Sequence, residues 1–330
     1  MKKILVTGGA GYIGSHTVKE LIKEGFSVVV YDNLFNGHRE AVLKPAELAV
    51  GDLLDAEKLK SLFKKHQFDG VFHFAALIEA GESEKNPVAF FRNNVTGSLN
   101  LLEASIQNKI KLFVYSSTAA VYGEPSKMPI KEDAELNPIN CYGETKKIIE
   151  EMLKCLDRTK GLKYISLRYF NAAGADLEGE LGENHNPETH LIPKVLHAVL
   201  KNEPVYIYGQ NYNTPDGTCI RDFVHVADLA KAHVLAFQYL QSKNKSDIFN
   251  LGSEKGNSVL EVIEKAKEIT ESNFKIISSE IRPGDPERLV ASAEKAKKIL
   301  RWKPKYDSLD VIIKTAWDWY RNKFSKRNNA

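Results

Sequence analysis

A tyrosine and a lysine stand four positions apart in the segment Tyr142-Gly-Glu-Thr-Lys146. On a helix, residues i and i+4 share a face, so the phenol and the ammonium group can point into one site. A free phenol has a pKa of about 10 and is a poor base at neutral pH, but nearby positive charge stabilises the phenolate. Lowering that pKa to about 7 requires about 4 kcal/mol. The spacing therefore predicts that Lys146 helps Tyr142 to act as a base.

A hydroxyl-rich segment, Ser116-Ser117-Thr118, directly follows the apolar run 112–115. Ligands of open α/β sheets bind outside the carboxyl ends of the strands. If the run is such a strand, the Thr118 hydroxyl lies where a substrate hydroxyl would bind. Thr118, Tyr142 and Lys146 together are predicted to form a proton-transfer set.

A glycine-rich turn, Gly8-Gly9-Ala10-Gly11-Tyr12-Ile13-Gly14, follows the apolar run 4–6 and precedes a helical pattern. These glycines allow a tight turn and close approach of the backbone to a pyrophosphate at the helix N-terminus. Asp32 lies 21 residues beyond Gly11, where a carboxylate can bind the ribose hydroxyls of adenosine and repel a 2′-phosphate. The pattern predicts a dinucleotide site that favours NAD over NADP.

Two further short segments fit the same site by position. Gly51-Asp52-Leu53 follows a short apolar run and is placed to contact adenine. Phe74-Ala75-Ala76 ends another run with small residues, against which a cofactor can lie.

The elements that position these residues alternate between strands and helices along the first 170 residues. The apolar runs predict strands at 4–6, 28–31, 71–74, 112–115 and 164–168, and amphipathic stretches predict helices at 13–24, 55–66, 86–108 and 143–159. Alternation of this kind predicts a doubly wound parallel Rossmann sheet of the α/β class, with helices on both faces.

The pattern loosens in the second half of the chain. Residues 174–190 and 209–219 predict polar loops, whereas 223–240 and 247–252 predict a helix and a strand that rejoin the first sheet. We therefore expect an NAD-binding domain at 1–172, joined by 223–252, and a smaller mixed α/β substrate domain at 173–330.

Composition excludes several classes of protein. The 330 residues carry 46 Lys+Arg and 43 Asp+Glu, a net charge of +3, which argues against nucleic-acid binding because that binding depends on clustered positive charge. The apolar run after Lys3 is too short for a signal peptide, and there is no apolar run of about 20 residues. With only three cysteines, we expect a cytoplasmic protein without disulfides or contact with a membrane.

Histidines are the remaining candidates for metal ligands. His185, His190 and His197 are separated by five and seven positions in a polar segment, and the cysteines show no metal-binding spacing. The sequence therefore predicts no metal site.

The chain resembles the extended short-chain dehydrogenase/reductases, and among them the sugar-nucleotide 4-epimerases. The resemblance is carried by TGGAGYIG at 7–14, DNL at 32–34, HFAA at 73–76, SST at 116–118, YGETK at 142–146, LRYFNAAGA at 168–175 and DGTCIRDFVHV at 216–226. It extends over almost the whole chain and implies NAD-dependent 4-epimerisation of UDP-hexoses through a transient 4-keto sugar.

The resemblance implies roles for individual residues. Tyr142 takes the proton of the 4-hydroxyl, Lys146 binds the nicotinamide ribose, and Thr118 bridges to the reacting oxygen. The implied NAD contacts are Gly8, Gly11, Tyr12, Ile13, Gly14, Asp32, Asn33, Asn36, Asp52, Leu53, Phe74, Ala75, Ala76, Asn93, Tyr142, Lys146 and Phe170. The implied UDP-sugar contacts are Thr118, Asn171, Leu191, Tyr206, Tyr208, Arg221, Arg282, Asp285 and Leu289.

Departures from the family pattern refine this expectation. Leu289 replaces a bulky aromatic found in some relatives, which leaves room for a 2-acetamido group and suggests UDP-N-acetylglucosamine and UDP-N-acetylgalactosamine as further substrates. Ile78 replaces a lysine found in some members. Ala119-Ala120 after Thr118 lack the Asp-Glu pair of the 4,6-dehydratases.

Two alternatives and one partner remain open at this point. A UDP-uronic acid or another nucleotide sugar is an alternative substrate, and a non-catalytic NAD-sensing protein is an alternative of a different class. The family also implies a homodimer, with 86–108 and 143–159 as the candidate interface helices.

Overall fold

A computed structural model describes residues 1–281 and 286–328 of the chain. The strands in this part of the chain are β1 (Lys3–Thr7), β2 (Ser27–Asp32), β3 (Glu47–Val50), β4 (Gly70–His73), β5 (Leu112–Thr118), β6 (Lys163–Tyr169), β7 (Asn171–Ala173), β8 (Val205–Tyr208), β9 (Ile220–Arg221), β10 (Phe223–His225), β11 (Asp247–Leu251), β12 (Asn257–Ser258), β13 (Ile276–Ser279) and β14 (Arg288–Leu289). The α-helices are α1 (Tyr12–Lys23), α2 (Ala56–Lys65), α3 (Ala80–Lys85), α4 (Pro87–Phe90), α5 (Gly97–Gln107), α6 (Cys141–Lys160), α7 (Leu191–Lys201), α8 (Val226–Lys243), α9 (Val259–Thr270) and α10 (Leu309–Asn328).

Seven parallel strands form the central sheet, in the order β11-β6-β5-β4-β1-β2-β3. The order reverses between β1 and β4, as in a doubly wound nucleotide-binding sheet, where ligands bind at the carboxyl edge of that crevice. The predicted Rossmann sheet is confirmed. The predicted return of the chain to this sheet is also correct, because β11 pairs with β6 in parallel.

Both faces of the sheet are buried, which explains the continuous apolar runs in the sequence. On β1, Ile4 and Val6 pack in one hydrophobic core, and Leu5 packs in the core on the opposite face. Residues of α1 and α8 belong to the first of these cores, and residues of α2, α5 and α6 belong to the second.

A third hydrophobic core lies among elements of the second half of the chain. It joins α7, α9 and α10 to β8 through buried residues such as Leu196, Ile207, Ile263 and Ile313. Beside it, β8 pairs with β13, and β9 pairs with β12 and β14.

The predicted helix at 86–108 is confirmed as one continuous helical run from residue 87 to residue 107, formed by α4, a π-helical stretch at Phe91–Thr96 and α5. The π-helical stretch is the feature that the sequence did not predict. Inside the π-helical stretch, the buried Asn94 pairs with both backbone groups of Leu77 and donates to the Thr145 hydroxyl. These contacts attach the segment after β4 to α6, and hydrophobic periodicity contains no signal for them.

Within the part of the chain that the structure describes, no helix is both long enough and apolar enough to cross a bilayer.

Candidate active site

The glycine-rich turn connects β1 to α1 at the carboxyl edge of the sheet. A Cβ atom on Gly14 would lie 2.1 Å from the Gly8 carbonyl oxygen, and one on Gly8 would lie 2.5 Å from the Ala75 nitrogen. A Cβ on Gly11 would meet only the Gly8 oxygen, at 3.3 Å, so the space beyond Gly11 is open. Gly11 is the N-cap of α1 and lines a cavity. Since the first N–H groups of a helix lack helical partners, the turn presents an anion site of the kind that a pyrophosphate requires.

Asp32 ends β2 beside this turn and is buried. Its carboxylate accepts hydrogen bonds from the backbone N–H of Ala10 at 3.0 Å and of Leu34 at 2.8 Å. Burial raises the pKa of Asp32, and these two hydrogen bonds act in the opposite direction. Asn33 donates to Asp52 at 2.8 Å, which connects the ends of two neighbouring strands. The two backbone hydrogen bonds fix the Asp32 carboxylate at the edge of the cavity, where ribose hydroxyls can bind.

A cavity of about 570 Å³ runs along this edge from the glycine turn to Tyr142. Every residue that the sequence predicted as an NAD contact lines it: Gly8, Gly11, Tyr12, Ile13, Gly14, Asp32, Asn33, Asn36, Asp52, Leu53, Phe74, Ala75, Ala76, Asn93, Tyr142, Lys146 and Phe170. The shape of the turn, the open space at Gly11 and the fixed carboxylate of Asp32 fit a dinucleotide.

Tyr142 and Lys146 lie on the first turns of α6 and line the same cavity. The Lys146 ammonium group is buried, donates to the Ser116 carbonyl oxygen at 2.8 Å, and lies 5.8 Å from the centre of the Tyr142 ring. Thr118 is the last residue of β5, and its hydroxyl accepts the Ala120 N–H at 3.1 Å. The three residues of the predicted proton-transfer set thus face one cavity.

Burial dominates the electrostatics of this pair. Burial raises the pKa of Tyr142 to about 12, and hydrogen bonding with Thr118 offsets this only in part. Burial also lowers the pKa of Lys146 to about 7, against the opposing charge of Glu150. A low-dielectric site favours the neutral form of both groups. The lowering of the Tyr142 pKa by Lys146 together with an oxidised nicotinamide stays a prediction.

A second cavity of about 890 Å³ adjoins the first, and the two share Asn171 and Ala172 in their walls. The predicted substrate contacts that line it are Asn171, Leu191, Tyr206, Tyr208 and Arg221. Thr118 lines the first cavity instead. Arg282 and Asp285 lie outside the described residues.

Leu289 is not among the described residues that line either cavity. It pairs with Arg221 in the strand register and packs with Phe170 against a small core around Tyr122. Leu289 can therefore affect a bound substrate only through Arg221, which lines the second cavity, and Phe170, which lines the first.

The structure forms a cluster that the sequence analysis did not predict, made of Glu183, His185, Glu188 and His190. Burial lowers the pKa of both histidines, but the two carboxylates outweigh this effect and raise the values to about 9 for His185 and about 10 for His190. His197, which we had grouped with these histidines, instead packs its ring against Tyr320. The sequence analysis missed this cluster because it considered the spacing of the histidines alone and left out the neighbouring glutamates.

Comparisons with known proteins agree with this geometry. A model of the NAD dependent epimerase/dehydratase family matches residues 4–252. A UDP-glucose 4-epimerase of Lacticaseibacillus casei is 49% identical over 97% of this chain and 97% of its own. The crystal structure of UDP-glucose 4-epimerase from Brucella ovis in complex with NAD has a TM-score of 0.93 at 44% identity, covering 96% of this chain and 98% of its own. The UDP-Glc/GlcNAc 4-epimerase of Campylobacter jejuni has a TM-score of 0.85 at 40% identity, covering 98% of this chain and 100% of its own.

Proposed function

The chain belongs to the NAD dependent epimerase/dehydratase family, and we propose that it interconverts UDP-glucose and UDP-galactose by inverting C4 of the hexose. The observation that carries the proposal is the placement of Thr118, Tyr142 and Lys146 on one cavity wall, next to a second cavity that can receive a nucleotide sugar. The similarity to UDP-glucose 4-epimerases over almost the full length supports the same reaction.

The glycine turn would hold the pyrophosphate of NAD, and Asp32 would hold its adenosine ribose. Phe74, Ala75 and Ala76 lie after β4 along the same cavity, and Asn93 and Phe170 lie toward the nicotinamide side. When bound beside these residues, NAD would supply a reversible hydride acceptor for C4 of the sugar. The buried carboxylate of Asp32 would repel a 2′-phosphate, so the preferred cofactor is NAD.

The chain's own residues move the proton. The Tyr142 phenolate takes the proton of the 4-hydroxyl, and the same oxygen donates it back when the 4-keto sugar is reduced on its other face. The Lys146 ammonium group, held by the Ser116 carbonyl, provides positive charge beside the phenol. Thr118 orients the reacting oxygen by a short hydrogen bond.

Inversion requires the sugar to turn over while the nucleotide stays bound. We assign UDP binding to Asn171, Leu191, Tyr206, Tyr208 and Arg221 around the second cavity, together with Arg282 and Asp285 from the sequence. A guanidinium group suits a diphosphate because it offers fixed paired donors. In this division, residues 1–172 with 223–252 hold the cofactor, and most of 173–330 holds the UDP portion.

The test is an assay of the purified chain on UDP-galactose without added NAD. We expect conversion to UDP-glucose and about one NAD per chain released on denaturation, since a cofactor that ends each cycle unchanged need not dissociate. Lack of conversion even with added NAD would contradict the proposal.

We extend the proposal to the N-acetylated pair because Leu289 occupies a position at which some relatives carry a larger ring. The likeness to the UDP-Glc/GlcNAc 4-epimerase of Campylobacter jejuni supports this extension. UDP-N-acetylgalactosamine is assayed in parallel, and Leu289→Tyr is expected to slow its turnover at least tenfold while sparing UDP-galactose. Equal effects on both substrates would exclude Leu289 as the residue that sets sugar size.

A homodimer is the remaining part of the proposal. Val88 on α4 and Leu99 on α5 are 67% and 53% exposed, and the segment beside them packs on α6. Light scattering should give twice the chain mass for the parent and the chain mass for Leu99→Lys. A monomeric parent would contradict this part.

A further inference from the structure

Four potential metal ligands converge within one short segment, residues 183–190, outside the proton-transfer set. One donor atom from each of Glu183, His185, Glu188 and His190 lies within 4.8 Å of all the others. The side chains of Glu183, Glu188 and His185 are 4%, 6% and 10% exposed, and that of His190 is 44% exposed. Two imidazoles and two carboxylates are a ligand set that suits Zn²⁺.

The separations between these atoms lie on either side of the value for a tetrahedral site, and the two histidines face different oxygens of Glu188. With metal–ligand bonds of about 2.0–2.1 Å, the donor atoms of a tetrahedral Zn²⁺ site lie about 3.4 Å apart. The Nδ1 atom of His185 lies 3.2 Å from Glu183 Oε1 and 3.8 Å from Glu188 Oε2. The Nδ1 atom of His190 lies 2.7 Å from Glu183 Oε1 and 3.4 Å from Glu188 Oε1.

Two of the donor atoms in the cluster are buried without a hydrogen bond. His185 Nδ1 and Glu188 Oε2 have no hydrogen-bond partner among the described residues. Both atoms face oppositely charged groups of the same cluster without forming a hydrogen bond, so an ion between them would supply the missing partner.

The backbone around the cluster is held in place. The N–H groups of Thr189 and His190 donate to Glu188 Oε1 at 2.8 and 2.9 Å. The Tyr320 hydroxyl donates to the Glu183 carbonyl oxygen at 2.8 Å, which attaches the segment to α10. The donor atoms are therefore brought together by contacts that do not depend on an ion.

We propose that Glu183, His185, Glu188 and His190 bind one divalent cation of the Zn²⁺ class. Four protein ligands leave no open coordination position, so the ion is structural rather than catalytic. The two carboxylates balance its charge.

The position of the cluster defines what the ion does. His185 and His190 line both cavities, and the ion would stiffen the segment 174–190 as the wall between the cofactor and the UDP-sugar. The acidic group Asp176, Glu178 and Glu180 is a different case, because Lys19 already pairs with all three carboxylates.

Zinc binding to the purified full-length chain, with its own cofactor retained, tests the proposal. The chain is stripped with a chelator, dialysed against a zinc buffer of fixed free concentration, and its metal content is measured by mass spectrometry. We expect about one Zn²⁺ per chain, and affinity at least 100-fold weaker in His185→Gln and His190→Gln. His197→Gln, a matched change outside the cluster, should keep full metal content.

X-ray absorption of the zinc-loaded parent makes the test independent of how well the variants fold. It should show four nitrogen and oxygen neighbours at about 2.0 Å, two of them imidazoles. Sulfur neighbours, zinc content unchanged in the His185→Gln His190→Gln double variant, or no zinc retained by the parent would each overturn the proposal. The last result would mean that the two histidines remain protonated and ion-paired.

Discussion

Tyr142 and Lys146 show how one environment acts on two groups of opposite charge type. The same burial raises the pKa of the phenol to about 12 and lowers the pKa of the ammonium group to about 7. Lys146 alone therefore does not produce a phenolate at neutral pH. The positive charge of an oxidised nicotinamide in the same cavity would supply the further stabilisation of the phenolate. We therefore expect proton abstraction by Tyr142 to depend on the oxidation state of the cofactor.

Removing the Tyr142 hydroxyl should abolish the proton transfer. We expect Tyr142→Phe to lower kcat by about 10³-fold, because general acid–base groups contribute about 10²–10⁴-fold. The bound NAD content should be unchanged, measured by release after denaturation.

Tyr115→Phe is the matched control for this change. Its ring lies 5.1 Å from the same Lys146 ammonium group, and its buried hydroxyl finds no hydrogen-bond partner among the described residues. Its activity should stay within about twofold of the parent. A similar loss of activity in Tyr142→Phe and Tyr115→Phe would contradict the assignment of Tyr142 as the proton-transfer residue.

At the scale of elements, a buried ion pair fixes the position of helix α6 against the central sheet. Glu150, one turn after Lys146, pairs with Arg168 on β6 and accepts the Ser117 hydroxyl of β5 at 2.5 Å. Arg168 also donates to the Tyr122 hydroxyl at 2.9 Å, and Tyr122 donates to Asn250 of β11 at 2.7 Å. The network connects β5, β6 and β11 to the helix that carries Tyr142.

Breaking this pair should destabilise the fold. Glu150→Gln leaves the Arg168 guanidinium buried without its counter-charge, which costs about 3–5 kcal/mol of unfolding free energy. Glu151→Gln is the neighbouring control, since its partner Lys154 lies 3.8 Å away and their side chains are 60% and 71% exposed. An exposed pair contributes less than about 1 kcal/mol, so urea unfolding should separate the two variants clearly. Equal stabilities would contradict the assigned role of the network.

The glycine turn is a second element whose packing can be tested. A methyl group at Gly14 would overlap the Gly8 carbonyl oxygen, so Gly14→Ala should cost about 1–3 kcal/mol of unfolding free energy. Bound NAD should fall at least tenfold, because the turn must shift. Gly81→Ala in α3 meets no described atom within 4 Å and should leave both quantities unchanged or slightly improved. Full NAD content in Gly14→Ala would show that the turn does not hold the cofactor.

At the scale of the whole molecule, neutral histidines are distributed through the buried interior. Burial lowers the pKa of His16, His225 and His233 to about 4 and that of His73 to about 3. Below about pH 6.5 the unfolded chain protonates these residues, whereas the folded chain stays neutral there until about pH 4. Stability therefore falls as the pH falls through this window, by up to about 3 kcal/mol for each histidine.

His233→Phe should remove one such contribution. The His233 ring packs 4.7 Å from that of Phe74, and its Nε2 atom is buried without a partner among the described residues. Between pH 4.5 and 6, the unfolding free energy of the variant should depend less on pH, by about 1.4 kcal/mol per unit. Urea unfolding across this range measures the slope. Parallel curves for parent and variant would contradict the assigned protonation.

The sheet and the grouping of the cofactor residues could be predicted from sequence because both depend on local patterns. Strand-length apolar runs and the spacing of Gly8, Gly11, Gly14 and Asp32 are set by short-range geometry. Contacts between distant segments could not be predicted. The Asn94 contacts that accompany the π-helical turn, the Glu150–Arg168 pair and the histidine–glutamate cluster depend on tertiary packing. The burial that raises the pKa of Tyr142 also could not be read from a four-residue spacing.

The fate of the C4 hydrogen tests the central claim most directly. The purified chain, without added NAD, is given UDP-galactose deuterated at C4 in ordinary water, and the product is analysed by NMR. Transfer to the cofactor and back keeps that hydrogen away from water, whereas the Tyr142 proton exchanges freely. The account predicts UDP-glucose that retains deuterium at C4. UDP-glucose carrying solvent hydrogen at C4, or no UDP-glucose at all, would contradict it.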